Sequence, residues 1–351
     1  MKTILRQTAF LLLFLLLLYG LALAIAVPAL PWPGTGNLDT ASATESPFMT
    51  EPKYAFLSRQ RLDSIDDKAI LLGASNVLAG FRPARLQGLV PGATVHNLAI
   101  GGANMTEVRQ MVDLVLEVQS PVARRHNVFV IGAWYGLFAD DRARWYTADR
   151  HPGDTDLDIE RYRYGFYRRT ASGPAALVPP GWLDAGVTLI KPFLLVDRLA
   201  RDAGKALRPN RALAASGDQA TVPSTERQGQ YLAFWEDYMG GSGQLDAEPF
   251  VALTKTINII VAAGGRVLLV DLPLPHWHAS ASRYEASYRQ HWAALRQRLD
   301  GAAGVAFLSL RDADSPEDFS DEVHPKPLVA ERWAARLAGA LNSLPDPLAM
   351  R

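Results

Sequence analysis

Two short segments near opposite ends of the chain carry residue types that together do acyl chemistry. The first is Gly73-Ala74-Ser75-Asn76, directly after an apolar run at 69–72, and the second is Asp321-Glu322-Val323-His324, just before Pro325. A neutral serine hydroxyl is a weak nucleophile and needs a hydrogen-bonded base. Histidine suits that task because its ordinary pKa lies near neutral pH, and an aspartate on its far ring nitrogen fixes the tautomer. Asp321 and His324 supply base and orienter on one turn. The expectation is a triad of Ser75, His324 and Asp321. Each segment alone has a plainer meaning: Gly-x-Ser after a strand is a common turn, and Asp321 stands where a helix N-cap would.

For these groups to meet, the intervening elements must bring two distant segments together. Apolar, β-prone runs occur at 69–72, 94–98, 128–131, 267–270 and 305–308, and helical periodicity occurs at 105–118, 249–263, 282–299 and 328–341. In the first helical stretch Val108, Met111, Val112, Val115 and Leu116 mark one face. Strands that are apolar throughout, alternating with amphipathic helices, predict an α/β fold with a five-stranded parallel sheet covered on both faces. Ligand sites in such sheets lie beyond the carboxyl ends of the strands. Ser75 follows the first strand, Gly101-Gly102 the second, Gly132 the third and Pro273-Leu274-Pro275-His276 the fourth, so one shared rim is expected.

The alternation lapses from about 137 to 249, too long for a simple loop, and predicts an inserted subdomain. Within it, the alternating Arg/Tyr run from Arg161 to Arg169 reads as a strand with an aromatic face, or as a groove for an acceptor. Residues 182–206 read as an amphipathic helix interrupted at Pro192, and 209–230 as a loose polar stretch.

The ends and the composition set the context. Lys2 and Arg6 precede an uninterrupted apolar run at 9–27. This predicts an N-terminal transmembrane helix with the remainder exported, or alternatively a cleaved signal segment with sites at Ala22-Leu23-Ala24 or Ala24-Ile25-Ala26. The expected organisation is an anchor or signal at 1–28, a Pro/Gly/Ser-rich linker at 29–65, and one domain at 66–345 carrying the insertion. Lys+Arg and Asp+Glu balance at 36 each, which excludes a general nucleic-acid binder relying on phosphate neutralisation. The absence of cysteine excludes thiolate chemistry.

The order of segments resembles the SGNH/GDSL hydrolase superfamily, a three-layer α/β/α fold with serine in its first block and Asp-x-x-His in its last. Gly73-Ala74-Ser75-Asn76 resembles that first block. Asn97-Leu98-Ala99-Ile100-Gly101-Gly102-Ala103-Asn104 resembles the second, with Gly102 as its glycine. The third block departs, because Trp134 in Gly132-Ala133-Trp134-Tyr135 stands where the family places asparagine. The resemblance implies an oxyanion hole from the N–H groups of Ser75 and Gly102 plus one amide, for which Asn104 or Asn76 is the expected replacement. Asn76, Trp134, His276 and Trp277 are the expected substrate contacts.

The N-terminal span, Leu272-Pro273-Leu274-Pro275-His276-Trp277 and the final Asp-x-x-His together resemble a narrower group. That group holds the D-alanine-transfer protein of teichoic acid and the periplasmic SGNH-like O-acetyltransferases of exopolysaccharide and peptidoglycan. It implies transfer from an acyl donor to a hydroxyl of a glycan or polymer acceptor, beside a membrane-bound O-acyltransferase. The site would lie in the periplasm or outside the cell, tethered to the cytoplasmic membrane or secreted. An esterase or deacetylase is the alternative, and a non-catalytic glycan-binding scaffold the second. No cofactor is implied. His276-x-His278, read as one strand face, offers two metal ligands without a third, so no metal site is expected.

Overall fold

The computed structural model describes residues 1–30, 37–41, 51–140, 151–163, 167–206 and 220–344. The chain enters its sheet at β1 (Asp67–Leu72) and adds β2 (Ala93–Asn97) and β3 (Asn127–Ala133). It leaves for an antiparallel hairpin of β4 (Tyr167–Thr170) and β5 (Gly173–Ala176), then returns as β6 (Arg266–Asp271) and β7 (Val305–Ser309). The five-stranded sheet has the order β2-β1-β3-β6-β7 and is parallel throughout. All five strands fall where the apolar runs predict them. They are continuous apolar runs because helices cover both faces, and β3 is buried along its whole length.

Before the sheet come α1 (Lys2–Ala29), α2 (Glu51–Leu57) and α3 (Arg59–Leu62), and α4 (Ser75–Gly80) and α5 (Pro83–Leu86) join β1 to β2. Next are α6 (Met105–Val118), α7 (Pro121–Arg124), α8 (Asp156–Arg163), α9 (Pro180–Ala206) and α10 (Thr225–Tyr238). The last four are α11 (Glu248–Ala262), α12 (His276–Ala281), α13 (Glu285–Leu299) and α14 (Pro327–Asn342). Parallel crossovers are right-handed, so the reversal of direction after β2 puts successive helices on opposite faces. Accordingly α6 packs on α11 and α11 on α13, while α14 packs on α4 and α5. The same reversal makes the carboxyl ends of β1 and β3 the topological switch point, the place at which sheets of this kind bind ligands.

α14 closes the second face with a stripe of Val329, Ala330, Trp333, Ala334, Leu337, Ala338 and Leu341, all buried. A Cβ on Gly80 would stand 2.9 Å from the Trp333 ring, so a glycine there lets α4 seat directly on α14. That contact draws the two chemistry-bearing ends of the sequence together. α1 has a mean hydropathy of 2.9 over its most apolar window and is long enough to cross a membrane, a character it shares with signal sequences.

Four expectations need correction. Residues 37–41 and 51–62, expected within the linker, dock on the domain: Leu38, Ala55 and Leu62 are fully buried, and α2 and α3 pack on α6. Their apolar residues are too sparse to outweigh the flanking Pro and Ser in a reading by composition. The Arg/Tyr run is not one strand, because Arg161–Arg163 end α8 and Tyr167 begins β4; 164–166 lie outside the described residues. α9 continues through Pro192 without a break. Part of the expected polar stretch is helical, with α10 capped by Ser224; residues 209–219 lie outside the described residues.

Candidate active site

Ser75 sits at the first position of α4, immediately past β1, and is half-buried. Its hydroxyl lies 2.8 Å from Nε2 of His324, and Nδ1 of His324 lies 2.7 Å from Oδ2 of Asp321. With Nδ1–H donating to the carboxylate, Nε2 is left to accept the Ser75 proton. The other oxygen of Asp321 accepts from the backbone N–H groups of Val323 (3.0 Å) and His324 (2.8 Å), so the carboxylate is held by its own turn. Asp321 therefore caps this turn and not α14, whose cap position is Lys326.

The turn is itself braced. Ser320 N–H donates to the His324 carbonyl, Lys326 N–H donates to the Asp318 carbonyl, and Phe319 bridges to Pro325. Phe319 and Val323 are buried beneath it, with Phe319 against Trp333. A second support comes from a group outside the expected site. His278, fully buried, donates from Nδ1 to the carbonyl of Glu322 at 2.7 Å, and its Nε2 accepts the hydroxyl of Tyr135 at 2.5 Å. A buried tyrosine at the end of β3 thus holds, through one imidazole, the residue between Asp321 and His324.

Burial works against the imidazolium of His324, but the hydrogen bond and charge of Asp321, with Glu322 adding, leave its pKa above the ordinary 6.5. Burial likewise opposes ionisation of Asp321, yet His324 and the two backbone N–H groups hold it below the usual 3.8. Burial raises Glu322 and depresses His278 to about 4, so His278 is neutral at physiological pH.

The second-block loop reaches the same rim. Ile100 N–H donates to the Gly73 carbonyl and Leu98 N–H to the Leu71 carbonyl, which lays residues 98–103 beside the serine turn. Asn97, buried at the end of β2, donates to the carbonyls of Val77 (3.2 Å) and Phe81 (3.0 Å) and accepts from Ala99. It ties the helix of Ser75 to that loop. Gly102 is exposed on it with φ 69°.

The remaining expected residues separate. Asn104 is buried in a capping box, accepting from Thr106 N–H while Glu107 accepts its own N–H; the structure accounts for it as the cap of α6. Asn76 is also buried, and its Oδ1 accepts from Val77 N–H, but its amide nitrogen has no partner among the described residues. Trp134 is buried with its indole N–H likewise unpartnered, its ring 4.8 Å from Trp235 and 4.9 Å from Tyr135 between centroids. Unsatisfied buried donors are rare enough to ask what they serve.

His276 and Trp277 do not lie on a strand. They start α12, which turns His276 outward to Asp314 (3.6 Å) and His278 inward. His276 lines a pocket of about 480 Å³ with Leu274, Ser280, Arg289, Arg311 and Asp314 that contains none of the triad. Trp277 is half-buried, stacked on His278. Among the described residues no cluster of His, Asp and Glu is arranged for a metal ion.

No family model matches the chain, and no curated protein matches it. A solved crystal structure aligns over 81% of this chain and 100% of its own at 14% identity, with a TM-score of 0.35, too loose a likeness to carry an argument. The reading of the site therefore rests on its own geometry.

Reasoning from sequence missed Tyr135 and His278. The signal in the sequence for His278 is its place in His276-Trp277-His278, a segment that as a strand would put both histidines on one face. A helix in place of a strand puts the two rings on different sides.

Proposed function

We propose that the protein is an exported serine acyl-transfer enzyme of the SGNH type, and the hydrogen-bonded chain Ser75–His324–Asp321 carries the reading. Ser75 Oγ attacks an ester carbonyl as His324 Nε2 takes its proton, and Asp321 stabilises the imidazolium. The developing oxyanion is met by the N–H groups of Ser75 and Gly102 and by the amide of Asn76. Asn76 is favoured over Asn104 because its nitrogen is unspent and its neighbour in the chain is the nucleophile. His324 then protonates the leaving oxygen. An acceptor hydroxyl, deprotonated by the same imidazole, attacks acyl-Ser75 and releases the new ester with the free enzyme.

The acceptor we favour is a hydroxyl of a cell-surface or secreted polysaccharide, receiving an O-acetyl or similar group. A membrane-bound O-acyltransferase is the candidate partner that passes acyl groups across the bilayer. α1 anchors the chain in the cytoplasmic membrane with the domain outside, and the described residues between Phe138 and α11 belong to an inserted unit. Retention of α1 is supported by its packing on α9, where Lys191 Nζ donates to the Leu30 carbonyl at 2.7 Å. Hydrolysis to free acid is the nearest rival activity. The aromatic burial of Trp134 at the third-block position favours one further reading, a glycan-binding scaffold without turnover.

A fluorophosphonate probe separates these. Labelling lost in Ser75→Ala and His324→Ala supports the enzyme, whereas an unlabelled parent protein that still binds glycan supports the scaffold. Asn76→Leu removes the amide while Val77 N–H keeps the Ala74 carbonyl. Loss of that amide is expected to slow labelling about 100-fold, and an unchanged rate would remove Asn76 from the oxyanion hole. Free acid released at one rate with or without a glycan acceptor would sink the transferase reading.

A further inference from the structure

α9 is apolar on more of its circumference than the protein covers. One side faces α1: the Tyr19 hydroxyl donates to the Leu189 carbonyl, the Tyr19 and Phe193 rings lie 6.2 Å apart, and Lys191 reaches Leu30. Asp184, near the start of α9, pairs with Arg59 of α3 and ties that end to the domain. Beside this contact, and sharing Phe193 with it, runs a stripe of Trp182, Leu189, Phe193, Val196 and Leu199, each more than half exposed. Their spacing of three, four and seven residues is that of one helix face. Residues 185–196 hold a single charge, Lys191, whose ammonium is spent on the Leu30 carbonyl. Asp197, Arg198, Arg201, Asp202 and Lys205 are confined to the last turns, where Arg198 pairs with Asp202 and Arg201 with Asp197.

The neighbour of this stripe identifies what covers it. α1 spans about 42 Å at 1.5 Å per residue, more than the roughly 30 Å of a bilayer's hydrocarbon core. Its half-buried or buried residues are Tyr19, Ala22, Leu23, Ala26 and Leu30, so α9 meets only the half away from Lys2 and Arg6. The exposed stripe is continuous with the apolar surface of that half, where Leu18, Leu21 and Ile25 are also exposed. We propose that α9 is a second membrane-seated element, its stripe from Trp182 to Leu199 lying against the acyl chains of the leaflet on the domain's side. The inference rests on reading α1 as a retained anchor. Trp182 then lies at the interface, and the charged last turns lie among headgroups. The domain is thereby held to the bilayer at two places, which restricts the orientation of the site relative to the membrane.

The chain has no cysteine, so single cysteines report position directly. Full-length proteins carrying Leu15→Cys, Phe193→Cys, Val196→Cys or Ser280→Cys are labelled with a nitrobenzoxadiazole dye. They are reconstituted in phosphatidylcholine/phosphatidylglycerol vesicles containing spin-labelled lipid. Probes at 15, 193 and 196 should lose most of their emission to the quencher, and the probe at exposed Ser280 on α12 should keep it. Quenching at 15 without quenching at 193 and 196 overturns the proposal and leaves the anchor intact. No quenching at 15 overturns the anchor reading and the proposal with it. Shielding at 193 and 196 that arises only when a membrane protein partner is added also overturns it, since the stripe would then be a protein-docking face.

Discussion

Acid should loosen this protein through His278 by an amount that its burial sets. His278 titrates at about 4 in the folded chain, against an ordinary 6.5. When pH falls below 6.5 the unfolded chain takes up this proton and the folded chain does not, so stability present above 6.5 is lost as pH falls toward 4. The full loss is about 3 kcal/mol, and roughly 2 kcal/mol of it is spent by about pH 5. The comparison protein is His278→Asn, whose amide can still donate to the Glu322 carbonyl but does not titrate. Leaving the Tyr135 hydroxyl without its acceptor costs that variant about 1–3 kcal/mol at every pH, an offset that does not affect the slope. His96, buried and depressed to about 3, adds a loss of the same sign, and Asp271, raised by burial to about 6, adds one of opposite sign. Both are common to the two proteins and cancel. Urea unfolding in detergent, followed by tryptophan emission from about pH 7.5 to 5, should show the parent losing roughly 2 kcal/mol more than the variant. Parallel pH dependences would refute the assignment of His278 as a neutral tether.

Two further outcomes follow from the site. Because His324 must be neutral to accept the Ser75 proton and its pKa lies above 6.5, fluorophosphonate labelling should rise with pH to a midpoint above that value; Asp321→Asn should lower the rate by about 10⁴ and shift the midpoint down. A Cβ on Gly132 would lie 2.4 Å from Cγ2 of Val77 in the serine helix, so Gly132→Ala should destabilise by about 1–3 kcal/mol, and Val77→Ala should recover part of that loss in a double-mutant cycle read by urea unfolding.

What sequence could convey here divides along a physical line. β1, β3 and β6 are buried on both faces, so their apolar runs need no partner to be seen, and α6 carries both its stripe and its capping box locally. Ser75 and the Asp321/His324 turn were legible for the same reason, since each occupies a junction that adjacent residues define. The tether through Tyr135 and His278 was not, because it joins positions 143 apart and depends on α12 being a helix. Asn104 and Asn76 looked alike as amides near the rim; what separates them is that Asn104 serves as the cap of α6 through its side-chain oxygen, whereas the amide nitrogen of Asn76 is left unspent. α9 illustrates the reverse case. Its apolar stripe is plain in the sequence, yet periodicity describes a helix equally well on a protein core or on lipid. The distinction comes from which neighbour it has, and that neighbour is the apolar α1, itself exposed over most of its surface. On the proposed reading of α1 as a retained anchor, its packing on α9 makes it part of the folded unit, so the proposed activity and the seating in a membrane should be lost together when that contact is broken.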